Sequence, residues 1–201
     1  MGARSRIRNS NHLQRAIGVM GSGDGIISRA NRLKAQRVGA AIAKAGFILA
    51  TGGCSGLPYD AARGAYEAGG FVIGISPAIN YFEHVQRYHF PTKFYHLLIY
   101  SGMGFIERDV LNIRTSEAII TIAGRSGTLN EFSIAYDEGK NIGVLTKTGG
   151  VSDQIQDMAQ GFVRSGKRTE TQIVYDSDPE KLVQKLISSL EIKRPYWPKL
   201  R

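Results

Sequence analysis

The chain has 201 residues, 42% of them hydrophobic, a single cysteine (Cys54), and a formal charge of +9 from 26 Lys and Arg against 17 Asp and Glu. That length fits one domain of about 100–200 residues with a full core, and one cysteine excludes an internal disulfide or a thiolate metal cluster. No run approaches the ~18 apolar residues of a membrane span, and no apolar stretch of secretory type follows the basic start. A cytoplasmic protein with anionic partners is therefore expected, with no membrane association.

In chain order, residues 1–15 hold Arg4, Arg6, Arg8 and Arg15 without an acid, and residues 193–201 hold Lys193, Arg194, Lys199 and Arg201. Both ends read as solvated and basic, so nucleic acid is not the expected partner. The aromatic segment Pro195–Pro198 reads as packing on the domain or on a neighbouring subunit. Between the ends, residues 16–192 read as a single domain. Ile17–Met20 is a short apolar strand that runs into Gly21-Ser-Gly-Asp-Gly25. Helical spacing follows from Ser28, a fitting N-cap, to Ala45, and Gly46 ends it.

Phe47–Ala50 reads as a buried strand that enters Thr51-Gly-Gly-Cys-Ser-Gly56. Leu57–Ala68 reads as a helix and Phe71–Ile75 as a strand, whereas residues 76–93 form a long polar and aromatic loop of the kind that is usually functional. The remaining strands are Tyr95–Tyr100, Ala118–Ile122, Ile142–Leu145 and Ile173–Tyr175, with helices over Phe105–Thr115, from Gly127 to Glu138, between Leu145 and Ile173, and from Pro179 to Leu190. Continuous apolar strands mean burial on both faces. Their alternation with helices means an α/β fold, a doubly wound and mostly parallel sheet with helices on both faces.

Ligands of such sheets sit at the carboxyl ends of the strands, near the switch in strand order. Three glycine-rich loops follow a strand and precede a helix: Gly21, Ser22 and Gly23 in the first; Gly52, Gly53 and Gly56 in the second; Gly124, Arg125, Ser126, Gly127 and Thr128 in the third. Glycine lets backbone N–H groups approach an anion, and the helix start adds a favourable dipole, so the three together point to phosphate binding. None is a Walker loop, and no acid completes a dinucleotide fingerprint, so classical NAD binding is not expected.

Glu131 follows Gly127 by four residues, while Arg108 lies on the preceding helix with Arg114 six residues on. This arrangement offers an arginine to a phosphate or sugar and a carboxylate to a ribose. The bland alternative is equally open here: Glu131 complements a helix start and Arg108 lies on a solvated face. The histidines at 12, 84, 89 and 96 have no ligand spacing and no metal is called for, though His84 and His89 could line the long loop.

Thr51–Leu57, Ala61–Ala65 and Gly69-Gly70 resemble the first signature of the LOG (lonely guy) family. Arg108 with Gly124-x-x-Gly127-Thr128-x-x-Glu131 resembles its second, and the similarity spans roughly residues 16–175. The resemblance implies a Rossmann-like fold, usually a homodimer, that binds nucleoside 5′-monophosphates. It also implies phosphoribohydrolase activity releasing a free base, with Arg108 and Glu131 catalytic, and no cofactor is required. A carboxylate near the ribose would stabilise the positive charge that builds as the N-glycosidic bond breaks.

Three departures shift that expectation. Ala123-Gly124-Arg125 stands where the family has Pro-Gly-Gly, Asp109 where a lysine is usual, and Leu57-Pro58 where active members commonly have Leu-Met-Gly. They resemble a divergent branch that includes the molybdenum-cofactor carrier proteins. The alternative is thus a non-catalytic carrier of a nucleotide or a molybdopterin-type ligand, in which Arg125 either binds an extra phosphate or crowds the pocket.

Overall fold

Apolar runs of four to six residues become central strands because helices cover both of their faces. The computed structural model describes residues 15–166 and 170–192. Residues 1–14 and 193–201, and with them His12, most of the basic ends and the Pro195–Pro198 segment, lie outside the described residues. Arg15 is described; it pairs with Glu117 at 3.4 Å and lies over the Phe47 ring.

Seven strands form one sheet: β1 (Ala16–Gly21), β2 (Ile48–Thr51), β3 (Val72–Ser76), β4 (Leu97–Tyr100), β5 (Ala118–Ile122), β6 (Asn141–Leu145) and β7 (Ile173–Asp176). Their order is β4-β3-β2-β1-β5-β6-β7, and every pairing is parallel. The expected mostly parallel sheet is in fact parallel throughout. Every residue of β5 and β6 is buried.

The helices are α1 (Arg29–Lys44), α2 (Leu57–Glu67), α3 (Gly104–Thr115), α4 (Ser126–Asp137), α5 (Ile155–Arg164) and α6 (Pro179–Ile192). Val38 and Ile42 of α1, Ala61 and Ala65 of α2, and Leu182 and Leu186 of α6 pack with Ile17, Val19, Ile120 and Ile122 on one face. Ile113 of α3, Phe132 and Ala135 of α4 and Ala159 of α5 pack with Met20, Ile119, Ile142 and Val144 on the other. Alternate residues of β1 and β5 thus feed opposite cores, as the two-residue period of a strand requires.

Ser28 caps α1, its hydroxyl accepting from the Asn31 amide at 3.1 Å, and Gly46 follows the helix with φ +83°. The segment 76–93 is not wholly irregular, since Glu83–Arg87 forms a π-helical turn. β4 begins at Leu97, two residues later than its apolar pattern suggests; Phe94, three residues before it, takes a left-handed φ of +68°. β1 lies between β2 and β5, so the chain leaves β1 in one direction and re-enters the sheet on its other side at β5. The crevice of such a sheet opens at that switch point, between the loops that follow β1 and β5.

Candidate functional site

A cleft of about 530 Å³ occupies this point. Its walls come from the β1–α1 loop (Gly21–Asp24), the β2–α2 loop (Gly52, Cys54), the long segment before β4 (Arg87, Tyr88, Phe90), α3 (Phe105, Arg108, Asp109) and the start of α4 (Arg125–Thr128, Glu131). Gly53 and Gly56 do not line it: Gly53 packs near Ser76, and Gly56 lies against Ser22 and Gly23. Gly124 underlies the cleft rather than facing it, its amide donating to Ser22 Oγ at 3.0 Å.

The three glycine loops differ in what they offer an anion. At α1 the Ser28 hydroxyl already serves the first turn. At α2 the Leu57 amide donates to Ser22 O at 2.8 Å and Pro58 has no N–H, so that start is largely consumed. At α4 no side chain caps the helix, and residues 126–128, whose N–H groups a helix cannot pair internally, line the cleft. The start of α3 is uncapped as well and brings Phe105 and Ile106 to the cleft, but α4 is the start whose open donors lie among the glycine-rich loops. Arg125 stands beside it on the rim; its guanidinium is exposed and ion-paired with Asp24, so it does not fill the pocket.

The floor is charged and buried. Arg108 is 5% exposed, and its guanidinium rests on the Gly52 backbone, where a Cβ would come within 2.8 Å of Arg108 Cζ. Arg108 Nη2 lies 3.6 Å from Asp109 Oδ1 and donates to Cys54 Sγ at 3.7 Å, while Nε has no partner among the described residues. Asn130 Nδ2 donates to Asp109 Oδ2 at 3.1 Å. Burial pushes the Asp109 carboxyl above its ordinary range against the pull of Arg108, and pushes the Cys54 thiol up to about 11.

Glu131 is 9% exposed, with no hydrogen bond or ion pair to any described residue, and lines the cleft. Burial first, and the neighbouring Asp109 charge second, push its carboxyl up to about 8, against the pull of Arg108. At neutral pH the group therefore holds its proton.

A carboxyl whose pKa is higher folded than unfolded supports the fold fully below its unfolded value, near 4.5, and loses that support as pH rises toward 8. Glu131→Gln removes this penalty. The variant is expected to melt above the parent at pH 8, with the gap closing by pH 5; thermal melts across that range check it. A side chain that costs stability and lines a cleft fits a ligand-facing role.

The same cleft has an aromatic wall. Tyr88 and Phe90 stack with centroids 5.3 Å apart, and Phe105 meets Tyr88 edge-on at 5.5 Å. Arg87 lies over Tyr88 at 5.5 Å. Tyr88 and Phe90 belong to the long aromatic segment 76–93 and Phe105 to the helix expected from it onward; the aromatic content of residues 88–105 was the signal for the wall. Other singled-out residues lie elsewhere. Arg114 pairs with Glu138 at 2.7 Å. His84 is buried between Ser76 Oγ and Pro91 O. His96 Nδ1 accepts from the Val72 amide. Among the described residues no group of three or more His, Cys, Asp or Glu is placed to hold a metal ion, and no helix is long and apolar enough to cross a membrane.

Fold and cleft together define a Rossmann-like α/β protein with a cleft at its topological switch point. The chain belongs to the SLOG cluster4 family, whose sequence model matches residues 14–183. Over 129 residues it is 33% identical to an uncharacterized protein of Archaeoglobus fulgidus, covering 64% of this chain and 78% of that one. Its structure is similar to that of the molybdenum cofactor binding protein of Rippkaea orientalis (TM-score 0.69, 26% identity, 89% of this chain and 98% of that one). It is equally similar to the molybdenum cofactor carrier protein of Chlamydomonas reinhardtii (TM-score 0.69, 26% identity, 90% and 100%).

Proposed function

We propose that this chain binds a phosphate-bearing ligand with a flat ring system, a nucleotide or a pterin of the molybdenum-cofactor type, and holds it without cleaving it. The observation that carries the reading is that the open first turn of α4 and an aromatic wall line one cleft. Backbone N–H groups at a helix start bind phosphate, with Arg125 beside them as a second donor. Tyr88, Phe90 and Phe105 supply faces on which a planar ring stacks. The likeness to two proteins named for the molybdenum cofactor supports a cofactor of that class.

The donor set fits such a ligand. Asp109 and Glu131 reach the floor as carboxyl groups able to meet the ring N–H edge of a pterin or a purine, and the unpartnered Arg108 Nε is a buried donor awaiting an acceptor. The group itself would bring its own redox and metal chemistry; the chain's residues bind, orient and shield it.

The alternative is the phosphoribohydrolase reading, favoured by Arg108 and Glu131 sharing one cleft floor. Holding is preferred because the two similar structures are named for binding and carrying a cofactor, and because burial, which raises the Glu131 carboxyl, disfavours the negative charge that a developing ribosyl cation needs. Incubation with AMP, GMP and cytokinin ribotides, followed by chromatography, tests the choice. Nucleotides are expected to be recovered intact. Free base that accumulates with the parent and not with Glu131→Ala would establish the hydrolase instead.

A further inference from the structure

A second cavity, of about 470 Å³, adjoins the cleft on the far side of the first glycine loop. Its lining includes Arg32, Ser55, Tyr59 and His89, and it shares Gly23 and Asp24 with the cleft. One stretch of chain serves both chambers: Tyr88 and Phe90 face the cleft, while His89 and Pro91 face the second cavity. His89 holds a left-handed φ of +54°, a conformation uncommon for a residue other than glycine. At the junction, a Cβ on Gly23 would meet nothing nearer than Ser55 O at 3.8 Å, so no side chain separates the chambers there.

Charge runs along the same line. Arg125 at the cleft rim pairs with Asp24, which borders both chambers, and Arg32 in the second cavity is held by Asp60 at 2.9 Å. Asp24 is largely exposed, so a phosphate that takes its place on Arg125 costs little. Each chamber falls within the about 300–1,000 Å³ usual for a ligand pocket, so each has room for one nucleoside-sized half.

We infer that the second cavity is a further subsite of the same binding site, and that it receives the far half of an elongated, dinucleotide-type ligand whose two nucleoside-like halves are joined by a pyrophosphate. Arg32 and Ser55 meet the oxygen-rich part of that half, and the Tyr59 and His89 rings meet its planar part. This inference rests on the proposal that the cleft binds phosphate.

Calorimetric titration with AMP and with diadenosine pyrophosphate tests it. The parent is expected to bind the dinucleotide at least tenfold more tightly than AMP. Arg32→Gln is expected to remove most of that advantage while leaving AMP affinity within twofold. Because Arg32 also partners the buried Asp60, His89→Gly serves as a second variant; glycine suits its left-handed backbone, so the chain keeps its fold. The same selective loss is expected from it. Equal affinity for the two ligands in the parent, or variants that weaken both alike, would overturn the second subsite and leave the cleft proposal standing. Failure of both ligands to bind the parent would overturn the two together.

Discussion

A Gly124→Val chain is expected to lose AMP binding by at least about tenfold, the equivalent of 1.4 kcal/mol, while still unfolding cooperatively. Gly124 has φ +92°, a region that a β-branched residue does not tolerate, and an added Cβ would come within 2.6 Å of Thr128 Cγ2. Its backbone is also a junction. The amide donates to Ser22 Oγ of the first loop, and the carbonyl accepts from the Val151 amide at 2.9 Å. Moving this residue re-aims the N–H groups of residues 126–128, and an anion site depends on that aim. The strain itself costs on the order of 1–3 kcal/mol. Calorimetry for affinity and a circular-dichroism melt for folding separate the two effects; unchanged affinity in a folded variant would place the anion elsewhere.

The largest effect on stability is expected from Gly64→Val, at a residue that does not line the cleft. Helices α1 and α2 cross backbone to backbone here. A Cβ on Gly64 would lie 2.6 Å from Gln36 C and 2.7 Å from its Cα, and one on Gly39 would lie 2.8 Å from Ala61 C. These neighbours are main chain, so no flexible side chain can yield, and the helices must separate. Overpacking costs typically about 1–3 kcal/mol and more where nothing relaxes. For a chain of this size that lowers the melting temperature by about 2–4 °C per kcal/mol. A thermal melt showing no loss would mean that the helices are less closely set.

The sheet was legible because its strands are continuous apolar runs, and α1 because Ser28 and Gly46 bracket a helical period. Arg108 and Glu131 were legible through a family resemblance, and the fold does bring both to one floor. Arg114 shows what spacing alone can decide: six residues are roughly 240° round a helix from Arg108, and it faces Glu138 instead.

Other features depend on contacts between distant segments and leave no local mark. That the α2 start offers the cleft less than the α4 start follows from Ser22 O engaging Leu57 across two loops. The aromatic wall joins Tyr88 and Phe90 to Phe105 on a different element. The high pKa of Glu131 comes from burial beside Asp109, a residue that the sequence marked only as a departure from the family pattern.

The central claim is that the start of α4 binds the ligand through a phosphate and does not cut it. Titrating the chain at pH 7 with AMP and with adenosine, and then chromatographing the mixture, tests it most directly. AMP is expected to bind at least about tenfold more tightly than adenosine, the phosphate contributing 1.4 kcal/mol or more, and to be recovered without free adenine. Adenosine binding as tightly as AMP, or adenine appearing in the mixture, would contradict it.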